Sequence, residues 1–247
     1  MTGRYALFLN RATSASPCQH LQERISTLVT SGEDYKALSL FQKLQDQIPL
    51  DHSLSLYILK ACINLSLLRP AKLLHDQILR YGISIDGLIG NSLITLYARC
   101  GSLDEGQRMF DLLQNRSSVS WSALIGGYVQ HGHSHKAIEI FDEMQYKGLC
   151  LNRSILLSIL KACGSICGIL KGMILHHEII VEGSKYGYGD VVTVVESALL
   201  DMYAKCGCLD EAQKVFDSLP DADVIAWNTL LSGYSRHDEG HQVLIIY

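Results

Sequence analysis

The chain has 247 residues, of which 48% are hydrophobic and 19% are charged, and its formal net charge is −4. This composition provides enough apolar surface for a continuous core and excludes an intrinsically disordered chain. The negative balance gives no general attraction to nucleic acid, so binding to nucleic acid would require a local groove of basic residues. The most apolar region, 154–181, is divided by Lys161 and Lys171, which favours buried helices over a membrane span.

The N-terminal end has the composition of a targeting sequence. It contains Arg4, Arg11 and several serine and threonine residues, and its first acidic residue is Glu23. This pattern is similar to an organellar presequence. Residues 1–17 are therefore predicted to be an N-terminal segment that includes part of a targeting peptide.

From residue 18 onward, the sequence repeats itself. The stretch TLYARCGSLDEGQRMFDLLQ at 95–114 recurs as DMYAKCGCLDEAQKVFDSLP at 201–220, VSWSALIGGY at 119–128 recurs as IAWNTLLSGY at 225–234, and ILKAC occurs at 58–62 and 159–163. These landmarks divide the chain into seven motifs, 18–51, 52–86, 87–117, 118–152, 153–192, 193–223 and an incomplete 224–247. A glycine-rich stretch at 184–190 lengthens the fifth motif and is predicted to be a loop. A period of about 30 to 40 residues is typical of a solenoid of helix pairs.

Each motif is predicted to fold as helix, turn and helix. In the motif 193–223, the apolar residues fall at helical spacing: Leu199, Leu200 and Tyr203 in the first helix, and Ala212, Val215, Phe216 and Leu219 in the second. Glycine supplies the turn between the helices at Gly207, and at the matching positions Gly32, Gly101 and Gly132. One helix pair cannot bury both faces, so each pair must stack on its neighbours.

The cysteines and histidines recur because the motifs recur. Cys62, Cys100, Cys163 and Cys206 lie at matched positions near the ends of first helices, which favours packing roles in a reducing compartment over disulfides. The histidines His75 and His176 recur in the second helices of two motifs, with no neighbouring Cys or Ser that would form a nucleophilic dyad, and structural roles are predicted for them.

Other catalytic and metal signatures are weak. The stretch HGHSH at 131–135 spans the turn at Gly132 and lacks a recognised ligand spacing, so an exposed turn is favoured over a metal site. The zinc-deaminase signature and a phosphate-binding Gly-rich loop are absent from the sequence. No enzyme activity, cofactor or metal is predicted.

The stretches YAKCG…DEAQKVFD, VSWSALIGGY…KAIEIFDEM and SILKAC…H resemble the pentatricopeptide repeat proteins, in particular the plant subclass that alternates 35-residue, long and short motifs. The resemblance covers about residues 18–247. A tetratricopeptide array has a similar period but would not alternate ILKAC and YAKCG motifs. The resemblance implies an all-α, right-handed superhelical α-solenoid that binds single-stranded RNA, usually in an organelle, with one base read per repeat.

In this family, the fifth and last residues of a motif hydrogen-bond one base edge, and the second residue packs against the base. Transferred by position, the base-reading residues are Asn91 with Ser117, Ser122 with Asn152, Ser197 with Asp223, and Asn228. The base-packing residues are Leu88, Val119, Val194 and Ile225. The long motifs place Leu56 and Leu157 at the fifth position, where leucine cannot hydrogen-bond a base, and the first motif has the unusual pair Gln22 and Asp51.

The family's code turns these residues into a hypothesis for the RNA sequence. It implies pyrimidine, A, any base, G, pyrimidine, from 5′ to 3′ along the third to seventh motifs. Arg99, Lys205 and Arg236 share a late position of their first helices and are predicted to contact phosphates, with Lys60 and Lys161 at a similar position. Interhelical packing of the second residues and plain solvation of the basic helix ends are the alternatives.

The resemblance further implies a non-enzymatic specificity factor for C-to-U editing or other RNA processing. Its partners would be single-stranded organellar RNA and an editing deaminase or other processing factor, with neither membrane nor DNA, in the mitochondrion or chloroplast, the mitochondrion being slightly preferred. The chain ends at Tyr247 within a second helix, so a C-terminal truncation is expected. A protein-binding helical-repeat scaffold, favoured by the acidic balance, and a non-functional remnant are the alternatives.

Overall fold

The computed structural model describes residues 17–44, 49–85, 87–182, 192–219 and 222–237, and these residues contain helices and no strand. The predicted N-terminal segment, except Pro17, the predicted loop at 184–190 and the C-terminal end beyond 237 lie outside the described residues. The helices are α1 Pro17–Thr30, α2 Asp34–Leu44, α3 His52–Leu65, α4 Leu68–Arg80, α5 Gly87–Arg99, α6 Leu103–Leu112, α7 Ser118–Gln130, α8 Ser134–Tyr146, α9 Arg153–Ser165, α10 Ile169–Glu182, α11 Val192–Cys206, α12 Leu209–Ser218 and α13 Val224–Arg236.

The chain divides into an N-terminal unit, Met1–Leu113, and a C-terminal unit, Gln114–Tyr247. In the N-terminal unit, α1, α3 and α5 contact one another in succession, and α7, α9, α11 and α13 do the same in the C-terminal unit. The even-numbered helices α2, α4, α8, α10 and α12 each pack against the preceding and the following odd-numbered helix. Each unit is therefore a two-layered stack of helix pairs, which confirms the predicted all-α helical repeat solenoid.

The turn inside a motif follows one pattern. Gly101 and Gly207 have φ angles of 73° and 77°, and Gly32 and Gly132 both have 80°. A residue in this left-handed conformation ends the helix, and the next amide then donates back to the preceding turn, as Cys208 N does to Tyr203 O at 3.1 Å. The predicted glycine turns are confirmed at all four positions.

The predicted apolar faces form the core. Leu199, Leu200 and Tyr203 of α11 are buried, as are Ala212, Val215 and Phe216 of α12. The prediction that Leu219 belongs to the second helix is wrong. The helix α12 ends at Ser218, and Leu219 adopts an extended backbone that leads to the next motif. Among the described residues, no helix is long and apolar enough to cross a membrane.

Two histidine–tyrosine pairs join a long motif to the short motif that follows. His75 Nδ1 of α4 lies 2.8 Å from the hydroxyl of Tyr97 on α5, and His176 Nδ1 of α10 lies 2.9 Å from the hydroxyl of Tyr203 on α11. Burial lowers the pKa of both histidines, although Asp76 and Glu105 oppose this shift at His75 and Glu211 opposes it at His176. Burial also raises the pKa of both tyrosines to about 12. These histidines have the structural roles that the sequence predicts.

We predict that the histidine pairs make the folding stability of the chain depend on pH. Their folded pKa lies below the unfolded value of about 6.5, so the unfolded chain binds more protons when the pH falls below that value. The pairs therefore contribute fully above about pH 6.5 and lose their contribution as the pH falls towards the folded pKa. We expect the gap in thermal melting temperature between the parent chain and the double variant His75→Asn, His176→Asn to narrow from pH 8 to pH 5. A gap independent of pH would contradict this role.

Candidate nucleic-acid interface

The last residue of a motif caps the first helix of the next motif. Asp223 Oδ1 accepts a hydrogen bond from Ala226 N at 2.8 Å, and Asn152 Oδ1 accepts one from Ile155 N at 2.9 Å. The hydroxyl of Ser117 accepts from Ser120 N at 3.4 Å, and Asp51 Oδ1 accepts from Leu54 N at 2.7 Å. Such side chains satisfy amides that the helix leaves without a partner. The sequence-based assignment of base reading did not recognise this second role, although a cap residue before an apolar run is its usual signal.

The caps determine which atoms the predicted base readers can offer. Once Asn152 Oδ1 accepts the cap bond, its Nδ2 amide group remains as a donor. Once Asp223 Oδ1 accepts the cap bond, its Oδ2 remains as an acceptor. Adenine presents the acceptor N1 on its pairing edge, whereas guanine presents donors at N1 and N2. The two capping side chains therefore complement different purines.

The predicted fifth-position residue Ser122 has a partner that the sequence analysis missed. Its Oγ donates to Ser154 Oγ at 3.0 Å, which joins α7 to α9. Ser154 occupies the second position of the fifth motif, beside the cap residue Asn152. The hydrogen bond fixes Ser122 and leaves its oxygen lone pairs available as acceptors. Only the three-dimensional packing brings Ser122 and Ser154 together, because 32 positions separate them.

The other predicted fifth-position residues lie on first helices. Asn91 is half-buried on α5, whereas Ser197 on α11 and Asn228 on α13 are exposed. Asn91 belongs to the N-terminal unit and its predicted partner Ser117 to the C-terminal unit. In the first motif, Gln22 Nε2 donates to Asp51 Oδ2 at 3.1 Å, so the two residues of the unusual pair hydrogen-bond each other.

The predicted base-packing residues are exposed aliphatic side chains near the starts of first helices. Their exposed fractions range from 42% to 70%, in Leu88, Val119, Val194 and Ile225. Side chains that pack between helices in this fold are nearly inaccessible, as Leu124 and Leu230 are. The exposure thus argues against the alternative of interhelical packing and leaves these side chains accessible to a flat ring.

One cleft in the C-terminal unit brings the three predicted classes of residue together. It has a volume of about 280 Å³ and lies between α11 and α13. Its lining includes Ile225 at the second position, Asn228 at the fifth position, and Lys205 and Arg236 at the predicted phosphate positions. The arrangement offers an apolar contact, an amide and cationic groups within one concave surface.

The predicted phosphate contacts differ in their electrostatic surroundings. Lys205 Nζ forms an ion pair with Asp201 Oδ2 at 2.6 Å, one helical turn earlier on α11, and Asp201 also lines the cleft. This partner offsets the positive charge of Lys205. Arg99 and Arg236 are exposed at the ends of α5 and α13. We therefore expect Arg236 to be the stronger cation of the cleft.

The histidine-rich stretch 131–135 lies at an exposed turn. His131, His133 and His135 are exposed around the turn at Gly132, as the sequence predicts for a solvent-facing turn. Within the described part of the chain, no group of three or more His, Cys, Asp or Glu residues could hold a metal ion. The cysteines whose side chains the structure describes are free thiols, namely Cys62, Cys100, Cys150, Cys163, Cys167, Cys206 and Cys208.

Comparisons with known proteins agree with the repeat. The family model described as "PPR repeat" matches residues 91–118, 119–149, 197–224 and 225–247. These segments overlap the third, fourth, sixth and seventh motifs of the sequence analysis.

Curated relatives match across most of this chain but only a part of their own length. A pentatricopeptide repeat-containing protein of Arabidopsis thaliana is 36% identical over 77% of this chain and 30% of the relative. The chloroplastic pentatricopeptide repeat-containing protein CRR2 of the same plant is 33% identical over 91% of this chain and 34% of its own length. A mitochondrial pentatricopeptide repeat-containing protein of that plant is 30% identical over 87% of this chain and 20% of its own length. The chain spans about a third or less of these relatives.

A solved structure has a similar fold. The pentatricopeptide repeat protein PPR10 from maize, in complex with an 18-nt psaJ RNA element, matches with a TM-score of 0.73 and 18% identity, over 94% of this chain and 35% of PPR10. At this identity the match concerns the fold.

Proposed function

Because the chain belongs to the pentatricopeptide repeat family, we propose that it binds single-stranded RNA and reads bases with the fifth and last residues of its motifs. The observation that carries this proposal is the cleft between α11 and α13, where Ile225, Asn228 and Arg236 converge. Single-stranded RNA is recognised by stacking or packing on exposed bases, hydrogen bonds to base edges and cationic contacts with phosphates. The RNA bound to the structurally similar PPR10 supports the same choice of ligand.

The side chains that cap the first helices support the predicted order of bases. The fourth motif offers the Asn152 amide as a donor and the Ser122 oxygen as an acceptor, which fits adenine with its N1 acceptor and N6 donor. The sixth motif offers Asp223 Oδ2 as an acceptor, which fits the donors of guanine. The proposed sequence remains pyrimidine, A, any base, G, pyrimidine. Two positions that each select one purine and two that each select a pyrimidine give about one chance match in 64 nucleotides, so this chain alone would not select a single transcript.

The proposed setting is an organelle, because relatives carry chloroplastic or mitochondrial names. The alternation of motif types supports the plant subclass with 35-residue, long and short motifs. Within that subclass, we propose that the chain directs C-to-U editing or other RNA processing, without catalysis of its own, by recruiting a deaminase or another processing enzyme.

Salt dependence tests the phosphate contacts. In a binding titration with fluorescent RNA that contains the proposed sequence, Arg236→Gln should weaken binding to all RNA sequences by a similar factor. It should reduce the slope of log affinity against log salt by about 0.7, the value for one phosphate contact on a single strand. The matched control is Arg108→Gln, because Arg108 lies on α6 in an exposed ion pair with Glu105 at 3.2 Å. Equal slopes for both variants would contradict a phosphate contact at Arg236.

A protein-binding scaffold is the second candidate, and the net charge of −4 favours it. A scaffold would show no preference between the proposed RNA and an RNA with its A and G exchanged. Its affinity for either RNA would be weak at physiological salt. The titration therefore separates the two functions.

A further inference from the structure

Four cysteines lie around the ends of α9 and α11. The Cys167 thiol, which follows α9, donates to the carbonyl oxygen of Lys205 with an S···O distance of 3.8 Å. The Cys206 thiol, at the end of α11, donates to the carbonyl oxygen of Cys163 at 3.8 Å. The Cys167 thiol thus contacts the residue before Cys206, and the Cys206 thiol contacts a residue one helical turn before Cys167.

The two helices approach closely at this point. A Cβ atom on Gly164 would lie 3.3 Å from Met202 Cα, so the lack of a side chain at Gly164 allows the close packing of α9 and α11. Cys167 follows this contact in a left-handed conformation, with φ of 53°, in the turn between α9 and α10. The geometry brings an exposed thiol, Cys167, next to a half-buried thiol, Cys206.

The repeat provides an internal comparison. The first set of motifs keeps the inner cysteines as Cys62 and Cys100, but has Ser66 where the second set has Cys167 and Ser102 where it has Cys208. Ser66 shares the left-handed conformation, with φ of 51°. The same backbone therefore carries an exposed thiol in one set of motifs and a hydroxyl in the other.

We propose that Cys167 and Cys206 form a reversible intramolecular disulfide that links the turn after α9 to the end of α11. The oxidant is a small disulfide such as oxidised glutathione. The Cys167 thiolate attacks one sulfur of the oxidant, which forms a mixed disulfide and releases one glutathione thiolate. The Cys206 thiolate then attacks the Cys167 sulfur and releases the second glutathione, so the two protein thiols become one S–S bond and two glutathione thiols form.

The electrostatic surroundings agree with this order of reaction. Burial is the main cause that raises the pKa of Cys206 to about 11, and the Cys167 thiol makes the largest contribution among the neighbouring thiols, ahead of Cys208 and Cys163. A half-buried thiol with a raised pKa has little thiolate, which makes Cys167 the first residue to react. The link would cross a contact between two motifs and resist local opening at the end of α11, beside Lys205.

The test oxidises the full chain with oxidised glutathione, alkylates the remaining thiols and determines the masses of the intact chain and of its proteolytic peptides, because the exposed Cys150 can form an adduct of its own. In the parent chain and in Cys208→Ser, Cys167 and Cys206 should both escape alkylation and carry no glutathione. Cys167→Ser and Cys206→Ser should form no intramolecular link, and Cys206→Ser should retain one glutathione on Cys167. Circular dichroism checks that each variant has the parent helix content.

An intramolecular link that persists in Cys167→Ser would assign the reaction to another pair, such as Cys163 with Cys206, and would overturn the proposal. A parent chain that only accumulates glutathione adducts would overturn it as well.

Discussion

Exchange of Asp223 for asparagine is expected to change the preferred base of the sixth motif from guanine to adenine. A good bidentate match to a base edge discriminates against the wrong base by about 1–3 kcal/mol, so the parent chain should prefer the RNA with guanine and the variant the RNA with adenine, each by at least about fivefold. The measurement compares two fluorescent RNAs that differ only at the fourth base of the proposed sequence. This expectation depends on the proposed RNA-binding function.

The physical reason lies in the cap. Asparagine and aspartate are about equally good at a helix N-terminus, so the variant retains the hydrogen bond to Ala226 N and the stability of α13. With Oδ1 held by the cap, the second group changes from a carboxylate oxygen to an amide donor. That donor faces the N1 acceptor of adenine favourably and the donors of guanine unfavourably. The exchange also removes one negative charge, which should strengthen binding to both RNAs by a similar factor, so the ratio of the two affinities reports the presented atom.

The reciprocal exchange is the control. Asn152→Asp in the fourth motif retains the cap bond to Ile155 N and should change the preference at the second base from adenine to guanine. The serines Ser122 and Ser197 occupy the fifth positions of the two motifs, so the pair of exchanges isolates the last residue. If each exchange weakened all RNAs equally, the caps would have only a structural role.

The repeat made much of this fold predictable from sequence. Two copies of a long pattern establish the motif period without any knowledge of structure, and glycine is recognisable at turns because it adopts positive φ without strain. The faces of α11 and α12 follow from helical spacing, except at Leu219, where the short second helix ends one residue earlier than the apolar pattern. Helix ends are set by local backbone geometry, which apolar spacing does not encode.

The details of the candidate site were less predictable. The ion pair of Lys205 with Asp201 has i, i+4 spacing and was visible in the sequence, yet the pattern cannot decide whether lysine faces an acid or a ligand. The contact of Ser122 with Ser154 depends on how neighbouring motifs pack. The proximity of Cys167 to Lys205 depends on the close approach at Gly164. Such contacts between motifs require coordinates.

Replacement of Trp121 by alanine is expected to lower the free energy of unfolding by about 3–5 kcal/mol. The side chain of Trp121 on α7 is fully buried, and the Lys147 ammonium lies over its ring, 5.1 Å from the centroid. Its removal leaves a large cavity and removes this cation–π contact. Urea unfolding followed by circular dichroism measures the effect, and the result requires no assumption about RNA.

The repeat supplies a matched control for this loss, because Trp227 on α13 occupies the position that corresponds to Trp121. Trp227 is 38% exposed and forms an edge-to-face pair with Phe216 at a centroid distance of 4.6 Å. An aromatic pair of this kind contributes about 0.5–1.5 kcal/mol beyond its buried area, so Trp227→Ala should cost much less than Trp121→Ala. Equal losses would mean that burial within the motif stack does not determine stability at this position. The expected difference would show that identical motif residues differ in energy according to the packing around them.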